Sequence, residues 1–359
     1  MKILIDIGHP AHVHYFRNFI KIMESRGHKF KVIARKREII FELLSHYGIK
    51  FHNRGRGSDS FIGKIVYMFF ADILIFIKAL RFKPDLFLSF SSPYAAQVSY
   101  LFRKPHIALN DTEHTDKTHS KFTYPFSANL ITPKSYTNDI GEKHIRFNNI
   151  IESLYLHKTY FQPDKDIYKF LGIKENEEYV ILRFVSWNAH HDFGQQGLSK
   201  KDKEELISIL KVKFKVFISS EGKLEESLKQ YQIKIPPYKM HDVLANASLF
   251  IGESGTMASE SAVLGTYAVY INSLPLMCYL RLEQENNLLK HFSSTEDVVE
   301  YVRNLIQRND LKEEALKNRD MMTKDFIDPT AFLIWFIENY PESVKFMKDN
   351  PDYQNKFKI

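Results

Sequence analysis

Cysteine is almost absent from this chain: Cys278 stands alone among 359 residues and has no partner for an internal disulfide. The opening run, MKILIDIGHP, reads as a buried strand rather than a charged head before a signal-peptide core, so the two features together predict a cytoplasmic protein. No long Ser, Gly or Pro tract interrupts the sequence, and 44% hydrophobic with 26% charged residues is the balance of a chain that folds throughout. No apolar run is long enough to cross a bilayer. The longest, Ile65 to Leu80, carries Asp72 and Lys78 and falls short of the roughly 20 residues required. A net charge of +7 with 14% aromatic residues suits nucleic acid, an anionic membrane face or phosphorylated substrates. Zinc-finger spacing, an RNA-recognition sequence and dense Arg blocks are all missing, which leaves nucleic acid as the reading with least support.

A chain of this length exceeds what one hydrophobic core usually fills, so two α/β domains are expected. The first strand, KILIDIG, ends in Gly8-His9-Pro10 and is followed by a helical pattern from His14 to Arg26 and a second strand, Phe30 to Arg35. A helix from Arg37 to Tyr47, a short strand at Ile49 to Asn53, an aromatic helix from Ile62 to Leu80 and strands at Pro84 to Phe90 and Pro105 to Asn110 continue the rhythm. That alternation is the mark of a parallel sheet wrapped by helices, with ligands beyond the carboxyl ends of the strands. The pattern restarts after Pro163 with strands at Glu178 to Phe184, Lys215 to Ser220, Ser248 to Glu253 and Thr266 to Ile271. The expected division is residues 1–163 for an acceptor domain, 164–329 for a donor domain, and 330–359 for terminal helices able to pack back on the first.

The segment IGESGTMASESAVLG, from Ile251 to Gly265, carries the strongest chemical signal. It places Ser254, Gly255, Thr256 and Met257 between a buried strand and a helix. A helix N-terminus offers free N–H groups and a positive dipole end, so a small-residue turn lets a diphosphate approach the backbone. The same Ser and Thr also serve as ordinary helix caps. Glu260 falls about one turn into the helix, where a carboxylate can accept hydrogen bonds from ribose hydroxyls.

These residues resemble the donor segment of glycosyltransferase-B enzymes. The likeness is greatest to the non-hydrolysing UDP-N-acetylglucosamine 2-epimerase and the lipid-linked N-acetylglucosaminyltransferase of peptidoglycan synthesis, although Tyr267 stands where those families carry Pro. The whole chain also resembles a bacterial and archaeal family known only as a domain of unknown function, through HPAHVHYFRN, SFSSPYAA, NDTEHTD, RFVSWNAHHDFG, SSEGK and ESGTMASESAVLG. The resemblance implies two Rossmann-like domains facing a cleft, a nucleotide-sugar donor held in the second, and a saccharide or lipid-linked acceptor in the first.

The remaining candidates follow from that frame. His12 fills the place of a His in the first Gly-rich loop and would act as base or phosphate contact, or else bond the backbone at a helix start. Asp111 and Glu113 lie in a loop similar to the acidic loop of the epimerase and would divide acid and base work, with an Asx turn the alternative for Asp111. Arg183, Trp187 and His191 would flank the diphosphate or stack, while Glu221 and His241 would border the nucleotide base, His241 having a capping role as its alternative. His190, His191 and Asp192 are too nearly contiguous for a recognised metal site, so neither metal nor cofactor is expected. The stripe Tyr67, Phe69, Phe70, Ile73 and Phe76 has the spacing of a core helix, though its basic margins, Lys64, Lys78, Arg81 and Lys83, leave room for peripheral contact with the inner membrane face. The leading expectation is a metal-independent glycosyltransferase of cell-envelope or capsular polysaccharide synthesis. Its alternatives are a UDP-sugar 2-epimerase and a catalytically silent binding protein.

Overall fold

The structure is a computed structural model that describes residues 1–58, 60–185, 197–220 and 222–358. It divides into two compact units, one of Met1–Tyr160, Met277–Tyr279 and Asp325–Ile359, the other of Phe161–Leu276 and Leu280–Lys324.

The first unit opens with β1 (Lys2–Ile7), α1 (Pro10–Ser25), β2 (Lys29–Ala34), α2 (Glu38–His46), β3 (Phe51–Asn53) and α3 (Phe61–Phe82). It continues with β4 (Leu86–Phe90), α4 (Pro93–Leu101), β5 (His106–Leu109), α5 (Asp116–Phe122), β6 (Asn129–Pro133), β7 (His144–Phe147) and α6 (Ser153–Leu156). Helix α1 starts four residues before the expected His14, because the His9 ring accepts the Ala11 N–H and Pro10 pre-sets the first turn. Among the described residues the seven strands form one parallel sheet in the order β3-β2-β1-β4-β5-β6-β7. The order reverses between β1 and β4, which is where open parallel sheets gather their ligands. Strands β6 and β7 were not expected: NLITP and HIRF are short, and each mixes polar residues into its run.

Helix α3 departs from the core reading of its aromatic stripe. Ile75 and Ala79 pack in one buried cluster with Phe87 and Val98, and Ala71 is buried too, whereas Phe69, Phe70 and Ile73 are exposed. Small residues let α3 approach its neighbours closely, and the large side chains are left on the outer face. Phe76 is partly buried against the core, and Tyr67 is half-buried.

The second unit contains α7 (Ile167–Leu171), β8 (Tyr179–Phe184), α8 (Lys200–Leu210), β9 (Lys215–Ser220), α9 (Met240–Asn246) and β10 (Leu249–Gly252). There follow α10 (Gly255–Val263), β11 (Tyr267–Ile271), α11 (Cys278–Glu285, in this unit from Leu280 onward), β12 (Leu289–Phe292), α12 (Val298–Leu305) and α13 (Leu311–Thr323). Its described strands are also parallel, in the order β12-β11-β10-β8-β9. Strand β10 is central, and its last residue must be glycine. A Cβ on Gly252 would stand 2.7 Å from the Cβ of Arg183 and 2.8 Å from its carbonyl oxygen. The chain ends with α14 (Pro329–Glu338) and α15 (Glu342–Asp349), both in the first unit. There the Thr330 hydroxyl donates to Leu154 O at 2.8 Å and the Asn149 amide to Ile327 O at 2.6 Å.

Glu283, wholly buried on α11, accepts the Ser259 hydroxyl at 2.5 Å, while its second oxygen has no hydrogen-bond partner among the described residues. Burial pushes this carboxyl up to about 8 from an ordinary value near 4.5, against a smaller opposing effect of the Ser259 bond. Between those values the unfolded chain binds fewer protons than the folded one, so folded stability is full below pH 4.5 and falls as pH rises toward 8. Glu283→Gln should abolish that decline and, by urea unfolding at pH 8, be the more stable form by on the order of a few kcal/mol. Parallel pH profiles for the two proteins would remove the assignment.

Candidate functional site

At the carboxyl edge of the second unit's sheet, Gly252 passes into Glu253 and the turn Ser254-Gly255-Thr256 that opens α10. This turn is half-buried, whereas Met257 and Glu260 behind it are buried. Ser254 is the N-cap: its hydroxyl oxygen accepts the Met257 N–H at 3.4 Å. The capping alternative is therefore realised, and it is compatible with anion binding. The hydroxyl retains its own proton to donate, and the first amides of any helix lack intrahelical acceptors.

Glu253, in the same motif, has no role assigned by the sequence alone. Its two carboxylate oxygens accept the backbone N–H groups of Val185 and Leu198, each at 2.8 Å, and its own N–H donates to Arg183 O at 3.0 Å. Val185 and Leu198 bracket the segment that bears Trp187 and His191, so this carboxylate fixes both ends of that segment. Trp187, His191 and Glu221 lie outside the described residues. The signal for Glu253 was an acid directly after a buried strand, which sequence alone does not separate from a site residue.

Glu260 meets His241 of α9, with Nε2 and Oε1 3.0 Å apart and both side chains buried. Phe161 packs edge-on against the His241 ring, with centroids 6.2 Å apart. His241 is not the cap of α9, which is Lys239; it lies within the helix and its ring meets the Glu260 carboxylate. Arg183, at the end of β8, donates from Nη1 to the Ser219 hydroxyl at 2.7 Å.

In the first unit, the loops after neighbouring strands β1, β4 and β5 carry Gly8, Ser91-Ser92 and Asn110-Asp111 along one sheet edge. A network that sequence reasoning missed lies at the switch point. Buried Asp6 accepts Arg54 Nε at 2.7 Å and the Ser92 hydroxyl at 2.6 Å, while Arg54 Nη1 donates to Tyr67 at 2.6 Å. The guanidinium also lies 4.7 Å from the Tyr94 ring centroid. Arg54 opens a stretch rich in Gly and Ser, where the sequence gives no sign of a buried ion pair. A Cβ on Gly8 would lie 3.4 Å from Arg54 Nη2 and 3.9 Å from His12 Cε1, so the cation and the imidazole border the same small space.

His12 receives the Gly8 N–H at Nδ1, 3.3 Å away, which leaves its own proton on Nε2. Burial, with smaller effects from His9 and Arg54, holds it well below its ordinary 6.5 and hence neutral. In this state His12 offers a hydrogen-bond donor, and base work at Nε2 requires the other tautomer. Asp111 is buried, accepts the Thr112 hydroxyl at 2.6 Å, and is pushed up to about 6 by burial, the Thr112 bond opposing. Glu113 accepts both the N–H and hydroxyl of Thr137, at 2.8 and 2.5 Å, and so anchors a loop. Asp116 is tied more heavily, by Tyr124, Tyr136 and Asn138 at 2.6, 2.5 and 2.8 Å.

A family model described as "Protein of unknown function (DUF354)" matches residues 1–332. The chain belongs to that family. An uncharacterized protein of Methanocaldococcus jannaschii is 24% identical over 352 residues, which cover 95% of this chain and 98% of that protein. Among solved structures, UDP-GlcNAc 2-epimerase from Neisseria meningitidis bound to UDP-GlcNAc is similar with a TM-score of 0.68 and 14% identity, across 94% of this chain and all 100% of that one. A glycosyltransferase from Streptomyces sp. SF2575 is similar with a TM-score of 0.60 and 13% identity, across 94% and 100%. The DUF354 chain thus has the glycosyltransferase-B fold, two α/β domains each built on a parallel sheet.

Glu253→Gln keeps the shape but turns one acceptor oxygen into an N–H2 group facing a backbone donor. It should cost roughly 1–3 kcal/mol by the usual penalty for an unmatched buried donor and speed proteolysis between residues 185 and 198. Cleavage at the parent rate would show that these two bonds do not restrain the segment.

Proposed function

We propose that this protein transfers a sugar from a nucleoside diphosphate, in the UDP class, to a saccharide or lipid-linked acceptor in cell-envelope or capsular polysaccharide synthesis. The observation that carries the reading is the half-buried Ser254-Gly255-Thr256 turn at the end of β10, with the Glu260–His241 pair one turn along. Amides opening α10 and the Ser254 and Thr256 hydroxyls would hold the diphosphate, and Glu260, oriented by His241, would accept from the ribose. Arg183, Trp187, His191 and Glu221 would complete the donor contacts.

Transfer breaks the bond from the anomeric carbon to the diphosphate oxygen and forms one to an acceptor hydroxyl, whose proton must leave. Asp111, lifted toward neutrality by its burial, is the group in the first unit best suited to receive that proton. His12 and Arg54 would orient an acceptor oxygen by donation, and Glu113 would act through the loop it anchors. The diphosphate leaves with its charge met by helix-end donors, so the reading calls for no metal ion and no cofactor.

Likeness to 2-epimerases favours a second reading in which UDP is eliminated and re-added after proton exchange at C2. Incubation with UDP-GlcNAc in deuterated water, without acceptor, separates the two. The transferase reading expects no deuterium at C2 and UDP release only when acceptor is added, while deuterium at C2 would establish the epimerase. Ser254→Ala and Glu260→Ala should each weaken UDP binding by roughly tenfold or more, as loss of charge-assisted or capping bonds implies. Calorimetry showing parent affinity in both variants would remove the donor site. His12→Ala should lower turnover more than donor affinity.

A further inference from the structure

The outer face of α3 is a continuous apolar stripe. Val66, Phe69, Phe70, Ile73, Ile77 and Leu80 are each 45–62% exposed, and their spacing of three and four residues puts them on one side of the helix. From Val66 to Leu80 the stripe runs about 21 Å at the helical rise. Tyr100 and Leu101, at the end of the adjoining α4, are 64% and 66% exposed. Single exposed apolar residues are ordinary, but a contiguous stripe of this kind marks a surface that something covers.

The exposed charges on α3, its cap and the residues just after α4 are basic. Lys64, Arg81 and Lys83 are exposed along α3 and its cap, Lys78 is half-buried beside them, and Arg103 and Lys104 follow α4. Asp72 is the one acid between residues 61 and 83, and its carboxyl is pushed up to about 7 by burial and by nearby Asp6. Asp85, just past the helix cap, accepts the Lys2 N–H at 2.7 Å. No helix among the described residues is long and apolar enough to cross a membrane. An apolar face edged by cations, on a helix too polar to span, has the make-up of an element that lies in the plane of an anionic bilayer.

We propose that the outer face of α3, extended by Tyr100 and Leu101, docks this protein on a bilayer surface rich in anionic phospholipid. The aromatic and aliphatic side chains enter the headgroup boundary, and Lys64, Lys78, Arg81 and Lys83 meet lipid phosphates. A second copy of the chain fits this face less well. A two-fold pairing would bring the same cations of both copies together, with no exposed acid on α3 to answer them. The docking claim goes beyond the sugar-transfer reading and does not rest on it.

Co-sedimentation of the full chain, without nucleotide, with vesicles of phosphatidylcholine alone or mixed with phosphatidylglycerol provides the test. Binding is expected on the mixed vesicles, weakened by high salt. It should fall roughly tenfold or more in the triple variant Phe69→Ser, Phe70→Ser, Ile73→Ser, as removal of an inserting apolar face requires. Lys78→Glu with Arg81→Glu leaves the apolar face intact and should give a similar loss if the triple variant fails to fold. Ser254→Ala should bind vesicles like the parent, so loss of the donor site and loss of docking are read separately. Three results would overturn the proposal: no binding to anionic vesicles, binding at the parent level by both surface variants, or a concentration-dependent dimer that the triple variant abolishes while vesicles capture neither protein.

Discussion

The carboxyl edge of the second unit's sheet hangs on one buried carboxylate. Glu253 follows directly from the central strand of the second sheet and gives both oxygens to amides separated by thirteen positions in the chain. A carboxylate that accepts a backbone N–H at each oxygen ties two stretches of chain together without a covalent link. Because the Ser254-Gly255-Thr256 turn is the next stretch of chain, the same anchor sets where α10 begins. Gly252, pressed against Arg183, fixes the approach from the other side. The turn is therefore held by its predecessors and can keep its own amides and hydroxyls for a ligand.

The first unit uses a buried ion pair for a comparable purpose. Asp6 and Arg54 lie at the point where strand order reverses, and removing either would leave a charge stranded away from water. The pair is neutral in sum, and Tyr67, Tyr94 and Ser92 complete its partners. Its effect on His12 is electrostatic as well as steric, since a nearby guanidinium favours the uncharged ring. The two sheet edges thus carry different chemistry. The first presents a fixed cation and a neutral donor, the second a helix mouth backed by a carboxylate.

Local features were legible in the sequence, and long-range pairings were not. Strand, small-residue turn and helix follow one another within fifteen residues around Gly255, so the motif could be read directly. The partnership of Glu260 with His241 spans nineteen residues and two helices, and nothing in either segment announces it. Arg54 and Asp6 are 48 residues apart, and Arg54 sits in a turn whose glycines drew the attention. Helix α3 misleads for a different reason: hydrophobic spacing identifies a stripe, but two alanines and an isoleucine on the opposite side made the closer fit to the sheet. Glu113 was read for its position beside Asp111, and the bonds that its Oε1 accepts from Thr137, a residue 24 places away, could not be read from the sequence.

The return of the last residues to the first unit bears on how the protein is made. Residues from Asp325 onward complete a body begun at Met1, while the second unit is assembled almost entirely from the stretch between. During synthesis every residue of the second unit is joined to the chain before Ile327 and Thr330, whose bonds to Asn149 and Leu154 tie the returning segment to the first. The half that is started first is finished last, and until α14 has been made, the faces of α1 and α6 that it covers stay open to solvent.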